Sequence, residues 1–260
     1  MTRPALAVHN TSPGPSPGRS WQIARPSLRE ELDERSVDPA LQDLICGVRR
    51  AARSSCPITI QGESGVGKEY FARRVHELKW GLANRFECLH GAELRAERLA
   101  AALFGAERAL RRDASPLTLY IRNPDLLPPA TQHVFNEWME RHSGTIGGVR
   151  PLLIAARSPI GERWNHRSSW SAPPEGRSDS IVLTVPPLRS RAADVLFVVS
   201  DLIGALSAEL RMPVPTISAS AWRRILRNPW HGNVRELLNC LRQAMLLSEP
   251  GRPLVIRSRD

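Results

Sequence analysis

The chain has 260 residues, 42% of them hydrophobic, and a formal net charge of +10. That length suits one large α/β domain with a small appendage, or two domains, and supplies enough apolar residues for a core. No apolar run approaches the ~20 residues that span a bilayer, and Arg3 is not followed by the apolar stretch of a signal peptide. Cys46, Cys56, Cys88 and Cys240 are scattered without paired metal-ligand spacing, which suits a reducing cytosol and sets the expectation of a cytoplasmic protein.

Residues 1–35 are read as a Pro/Ser-rich disordered tail, on a composition such as Thr-Ser-Pro-Gly-Pro-Ser-Pro-Gly at 11–18. From Asp38 to Arg53, Leu41, Leu44, Ile45 and Val48 recur at helical spacing. Strands and helices then alternate. Ile58–Gln61 reads as a strand, Lys68–Leu78 as a helix with Phe71, Val75 and Leu78 on one side, and Phe86–Leu89 as a short strand. Ala96–Phe104 reads as a helix, Leu117–Ile121 as a strand, Thr131–Arg141 as a helix and Leu152–Ala156 as a strand. A Ser/Arg/Pro-rich loop covers about 161–180, and Ile181–Val185 is the last strand, ended by Pro186-Pro187. The remainder reads as helices at about 192–211, 218–228 and 233–248. Alternating β and α with apolar strands implies a parallel sheet covered by helices on both faces. The boundaries are an α/β domain over 36–190, a helical lid over 191–256 and a short tail at 257–260.

The positive charge fits an anionic partner such as nucleic acid or nucleotide. It also fits compositional bias, because only Lys68 and Lys79 are Lys and all other basic residues are Arg across the whole chain. A lysine inside a Gly-rich loop therefore stands out. Gly62-Glu63-Ser64-Gly65-Val66-Gly67-Lys68 fits G-x-x-x-x-G-K between a strand and a helix. The glycines let backbone N–H groups turn inward around phosphate oxygens, and the helix N-terminus favours the same anion. A compact ammonium at Lys68 suits a phosphate in that tight loop. The expected ligand is a nucleoside triphosphate. The generic motif ends in Ser or Thr, which helps to hold Mg²⁺; Glu69 stands there instead.

From this loop onward the chain resembles the AAA+ domain of bacterial enhancer-binding proteins, the NtrC-like activators of sigma-54 RNA polymerase. The resemblance covers about 36–256. In that family the loop also ends in Lys-Glu, as at Lys68-Glu69. Ala102-Leu-Phe-Gly-Ala-Glu-Arg108 resembles its Leu-Phe-Gly-His-Glu segment, and Pro186-Pro-Leu-Arg-Ser-Arg191 its Pro-Pro-Leu-Arg-Glu-Arg linker. Pro229-Trp-His-Gly-Asn-Val-Arg-Glu-Leu237 is very similar to its sensor II segment. The resemblance implies a P-loop NTPase (AAA+) parallel sheet sandwiched by helices, followed by a small helical lid. It implies ATP or ADP as ligand, held by Gly62 through Glu69 (with Glu63, Ser64, Gly65, Val66, Gly67 and Lys68 between) and by Arg235 from the lid. Mg²⁺ is left open, and no metal ligands are assigned.

The departures from the family concern its motor parts. The third strand of the family ends in Asp-Glu, where Asp holds Mg²⁺ and Glu polarises the attacking water; here Arg122-Asn123 stand in those places. An alternative is that Asp125 substitutes through a shift in register. The sensor I segment reads Ala156-Arg157-Ser158, and His90 replaces a coupling Asn. Counting back from Pro186-Pro187 puts the two arginine fingers at Ser171 and Arg177, and Arg177 is an arginine-finger candidate alongside an ordinary loop Arg. The Gly-Ala-Phe-Thr-Gly-Ala tip that grips the sigma factor is missing, which puts sigma-54 contact in doubt. No receiver-like domain is expected before residue 36 and no helix-turn-helix for DNA after the lid.

The resulting expectation is an ATP-binding, catalytically weakened AAA+ protein that regulates transcription through protein contacts in a homo- or hetero-oligomeric ring, with no membrane contact. One alternative is an active ATPase that remodels sigma-54 polymerase. Another is a basic nucleic-acid-binding protein; Trp138, Trp222 and Trp230 fall at core positions, so no base-stacking platform is read into the tryptophans.

Overall fold

A computed structural model describes residues 38–82, 84–113, 116–142, 152–157 and 181–248. The expected tails, the loop at 161–180, and with them Ser158, Ser171 and Arg177, lie outside the described residues.

Helix α1 (Pro39–Arg53) starts where sequence chemistry asks it to. The carboxylate of Asp38 accepts from the N–H groups of Ala40 and Leu41 at 2.9 and 3.2 Å, and Pro39 needs no such partner. Strand β1 (Ile58–Gln61) leads into the Gly-rich loop and helix α2 (Lys68–Trp80), which stops at Gly81 with φ 79°. Then come β2 (Arg85–His90), α3 (Ala96–Asp113), β3 (Leu117–Arg122), α4 (Pro129–His142), β4 (Leu152–Arg157) and β5 (Ile181–Thr184). The strands form one sheet in the order β2-β3-β4-β1-β5, every pair parallel. Parallel pairing needs a crossover between strands, and α2, α3 and α4 lie in the connections that lead from β1 to β2, β2 to β3 and β3 to β4.

Period-two alternation divides β3 between two cores. Leu117, Leu119 and Ile121 face a core with Leu99, Leu103, Phe135 and Trp138, while Tyr120 faces the core built by α1, α2 and β1. On α2, Phe71 and Val75 are buried as expected, but Leu78 is 43% exposed. The remaining inward place belongs to His76, whose ring bonds the Thr118 hydroxyl at 2.7 Å and the Asn84 carbonyl at 3.2 Å. Burial pushes the His76 pKa down, in keeping with a neutral ring.

A third core belongs to the lid: α5 (Val195–Leu210), α6 (Ala219–Arg227) and α7 (Asn233–Leu246) close around Leu188, Val199, Ile225, Trp230 and Leu241. Val185 packs with the sheet and Leu188 with the lid, so the division between the cores falls within Pro186-Pro187. Trp138 and Trp230 are buried and Trp222 partly so. Among the described residues no helix is long and apolar enough to cross a membrane.

The chief difference from the sequence expectation is α3. It does not end at Phe104 but continues to Asp113. Ala106-Glu-Arg-Ala-Leu-Arg-Arg112 are strong helix formers, and the first stop signal is Ser115-Pro116. Gly105 is thus an exposed mid-helix residue, and a Cβ added there meets nothing within 4 Å. Gly105→Ala is expected to raise stability by roughly 0.5–1 kcal/mol in urea unfolding. If the helix ended at Phe104 with Gly105 as a left-handed cap, the same change would lower it.

Candidate functional site

The phosphate loop lies at the C-terminal end of β1, between β4 and β5, at the end of the strands where ligands of open parallel sheets gather. Gly67 caps α2 with φ 101°, a conformation that favours glycine. Gly65, φ 79°, has a second reason to be glycine. A Cβ there would stand 2.2 Å from the Gly232 carbonyl of the lid, so only a bare backbone allows the approach. Lys68 folds back into the loop and donates to the carbonyls of Gly62 and Glu63 at 2.7 and 2.8 Å. Its pKa is pushed down to about 8, chiefly by burial, then by the positive charges of Arg235 and Arg122; Asp125 opposes them.

The lid and linker are fastened to this loop. Arg189 of the linker donates to both carboxylate oxygens of Glu63, and Asn233 of the lid donates to the same carboxylate at 3.0 Å. These bonds, Arg189 first, hold the Glu63 carboxyl down to about 2. Asn233 is fully buried. Its amide nitrogen also reaches the Ser64 carbonyl, and its oxygen accepts the Leu188 N–H at 2.8 Å. Arg235 donates from its guanidinium to the Ser64 hydroxyl at 3.1 Å and from its backbone to the Gly65 carbonyl at 3.3 Å. Buried Arg191 donates to the Val66 carbonyl at 3.1 Å. Within Pro229–Leu237 the residues divide the work. Trp230 fills the lid core and donates to the Ile225 carbonyl, Asn233 and Arg235 grip the loop, and Glu236 returns to accept the Gly232 N–H at 2.7 Å.

The structure brings all the expected loop residues and Arg235 together. Arg122 ends β3, in register with His90 on one side and Ala156 on the other, and Ala156 in turn pairs with Ile60 just before the loop. His90 is exposed at the end of β2, and Arg157 ends β4. Asn123 takes a left-handed φ of 49°, and its N–H donates to the Ala156 carbonyl at 2.8 Å. Asp125 lies in the short 3-10 turn that follows, with one carboxylate oxygen buried. Sequence reasoning assigned no role to Asn233, Arg189 or Arg191. The signal was present only as membership of two motifs, Pro186–Arg191 and Pro229–Leu237.

For a nucleotide the donor set fits. The loop offers backbone N–H groups, the ammonium of Lys68 and the N-terminus of α2, all at one place. For a divalent cation it does not. Glu69 is engaged by Arg73 at 2.9 Å and faces Arg122 at 3.8 Å, and a guanidinium occupies the end of β3. Among the described residues no three His, Cys, Asp or Glu side chains are grouped to hold a metal.

A parallel sheet with a phosphate loop at the end of an interior strand, closed by a helical lid, defines a P-loop module of the AAA+ class. Residues 35–116 match the sigma-54 interaction domain family, and residues 189–257 match the AAA+ ATPase lid domain family. The chain is 31% identical over 231 residues to the transcriptional regulatory protein FlbD of Caulobacter vibrioides, covering 81% of this chain and 50% of that protein. It is 27% identical over 230 residues to the Nif-specific regulatory protein of Azotobacter vinelandii, covering 82% and 44%. Among solved structures, NtrX of Brucella abortus in complex with ATP superposes with a TM-score of 0.67 at 23% identity, over 88% of this chain and 58% of that one. RuvB of Thermotoga maritima superposes with a TM-score of 0.53 at 15% identity, over 82% and 66%. The chain carries a sigma-54 interaction domain of the AAA+ class followed by its AAA+ lid domain. It spans half or less of the length of these curated relatives.

Asn233→Ala removes the partner of the Leu188 N–H and both grips on the loop, at a residue whose φ of 56° alanine adopts poorly. Leaving buried polar groups unpaired costs roughly 1–3 kcal/mol each. The expected outcome is a lower melting temperature and faster proteolysis within the 186–191 linker.

Proposed function

We propose that the chain binds ATP or ADP between its phosphate loop and lid, hydrolyses it very slowly, and regulates sigma-54-dependent transcription through contacts with AAA+ subunits in a homo- or hetero-oligomeric ring. The observation that carries this reading is the loop itself: Lys68, the glycine turns and the α2 N-terminus converge at one point, and Arg235 reaches the same loop from the lid. The ATP- and ADP-bound NtrX structures support the choice of ligand.

The weak-hydrolysis part rests on the end of β3. A general base typically contributes ~10²–10⁴ in rate. Asn123 cannot act as one, and Arg122 presents a cation where a metal-holding carboxylate would be needed. The sigma-54 part is indirect. The chain continues from the Leu-Phe-Gly segment as helix to Asp113 and carries no Gly-Ala-Phe-Thr-Gly-Ala sequence, so direct gripping of the sigma factor has no tip to work with. The linker and lid, the parts by which such subunits meet around a nucleotide, are present and tightly built. A chain with assembly parts and without motor parts modulates an intact relative. Mg²⁺ has no place in this reading.

Two measurements test the proposal. Lys68→Ala is expected to weaken ATP binding about ten- to a hundredfold, as loss of a charge-assisted hydrogen bond does. Wild-type affinity is expected to fall as pH rises through about 8. Phosphate favours the ammonium and raises its pKa on binding, so above that pH binding takes up a proton. Calorimetric titration between pH 7 and 9 reads this, and the Lys68→Ala variant should lose the dependence.

On the same preparation, turnover is expected to stay well below about 1 per second. The purified chain should co-elute with a purified intact sigma-54 activator when ATP is present. Changing Arg122 to Asp and Asn123 to Glu together should raise the rate only in part, because a Glu at 123 has to adopt φ 49°. Fast wild-type turnover, or a chain that stays monomeric with ATP and the relative, would overturn the reading.

A further inference from the structure

The end of β3 carries more than the absence of a catalytic pair. Arg122 is a half-exposed guanidinium placed in the row His90, Arg122, Ala156, Ile60, one strand removed from the start of the phosphate loop. Its Nη1 stands 3.8 Å from the Oε2 of Glu69, the first residue after Lys68. Oε1 of Glu69 is already taken by Arg73, through Nε at 3.1 Å and Nη2 at 2.9 Å. One carboxylate is thus shared by two guanidiniums, which leaves positive charge over. That charge is felt at Lys68, where repulsion from Arg122 outweighs the attraction of Asp125. With Arg235 on Ser64, three cations surround the mouth of the loop. Like charges held this close repel, and an anion entering the loop relieves the repulsion.

A divalent cation would add to the repulsion. A metal-free triphosphate would remove it, and it carries more negative charge than its magnesium complex. A planar guanidinium also suits phosphate oxygens, which it can meet with two parallel N–H bonds. We propose that this site takes its nucleotide as the metal-free anion, with the Arg122 guanidinium supplying the positive charge that a divalent cation would otherwise bring. The inference rests on the nucleotide-binding reading above and specifies the ionic form of the ligand.

The test is calorimetric titration of ATP into the full chain, once with EDTA and once with millimolar Mg²⁺. Wild type is expected to bind at least as tightly in EDTA as in Mg²⁺. Arg122→Ala should lose about tenfold in EDTA, the size of one charge-assisted contact. Arg122→Asp should reverse the order and bind more tightly with Mg²⁺. Thermal melts check that both variants fold, and the wild-type comparison stands without them. Wild-type binding about tenfold tighter in Mg²⁺, or an unchanged EDTA affinity in folded Arg122→Ala, overturns this inference and leaves nucleotide binding in place. No binding in either condition overturns both.

Discussion

One carboxylate holds the two parts of this molecule in register. Glu63 stands on the phosphate loop and accepts from the linker through Arg189 and from the lid through Asn233. The two bonds differ in weight. Arg189 is 42% exposed, and an ion pair in that setting contributes little. Asn233 is fully buried and has both ends of its amide in use, so its loss leaves the Leu188 N–H without a partner in a dry place. The buried amide is therefore the stronger fastening and the ion pair the trim. The depressed Glu63 pKa fixes the pH range of the clamp. A carboxylate held down to about 2 contributes fully above its usual value, and the contribution is lost only as pH falls from there toward 2. Across the neutral range the clamp is constant.

This arrangement ties the loop's contents to the lid. Lys68 donates to the carbonyl of Glu63, whose side chain carries the lid, and Asn233 and Arg235 contact Ser64 and Gly65 next to it. Any ligand that draws the Lys68 ammonium off those carbonyls acts on the same short stretch of backbone that the lid grips. Gly65 leaves no slack in it, because the Gly232 carbonyl lies where a Cβ would be. A coupling of this kind needs no distant pathway; it is a shared contact.

How much of this was legible in the sequence depends on range. Strands β1, β3, β4 and β5 were legible because each is a short, largely apolar run, and β2 because Phe86 and Leu89 lie between two turns. The loop was legible because its glycines and its lysine sit within seven consecutive positions, Gly62–Lys68. The end of α3 was not, because Gly105 is a poor helix former by propensity while the residues on either side of it carry the helix through. His76 was not, because an apolar count cannot show that a histidine will find Thr118 and Asn84 as partners. The clamp was the least legible feature, since residues 63, 189 and 233 meet only after both domains have folded.

At the end of β3 the fold and the chemistry make separate demands. Ile121 is buried and carries its share of a core, but Arg122 is only partly buried and Asn123 is exposed. What the fold asks of Asn123 is its backbone: a left-handed φ, which asparagine tolerates well, and an N–H for the Ala156 carbonyl. What it asks of position 122 is a strand residue in register between His90 and Ala156. Neither demand specifies a carboxylate. Asn233 is the opposite case, since its side chain is itself part of the packing between lid and loop. Positions whose side chains serve only chemistry face outward at strand ends and can change without cost to the core. Positions that hold the lid to the loop, as Asn233 does, are part of the packing itself.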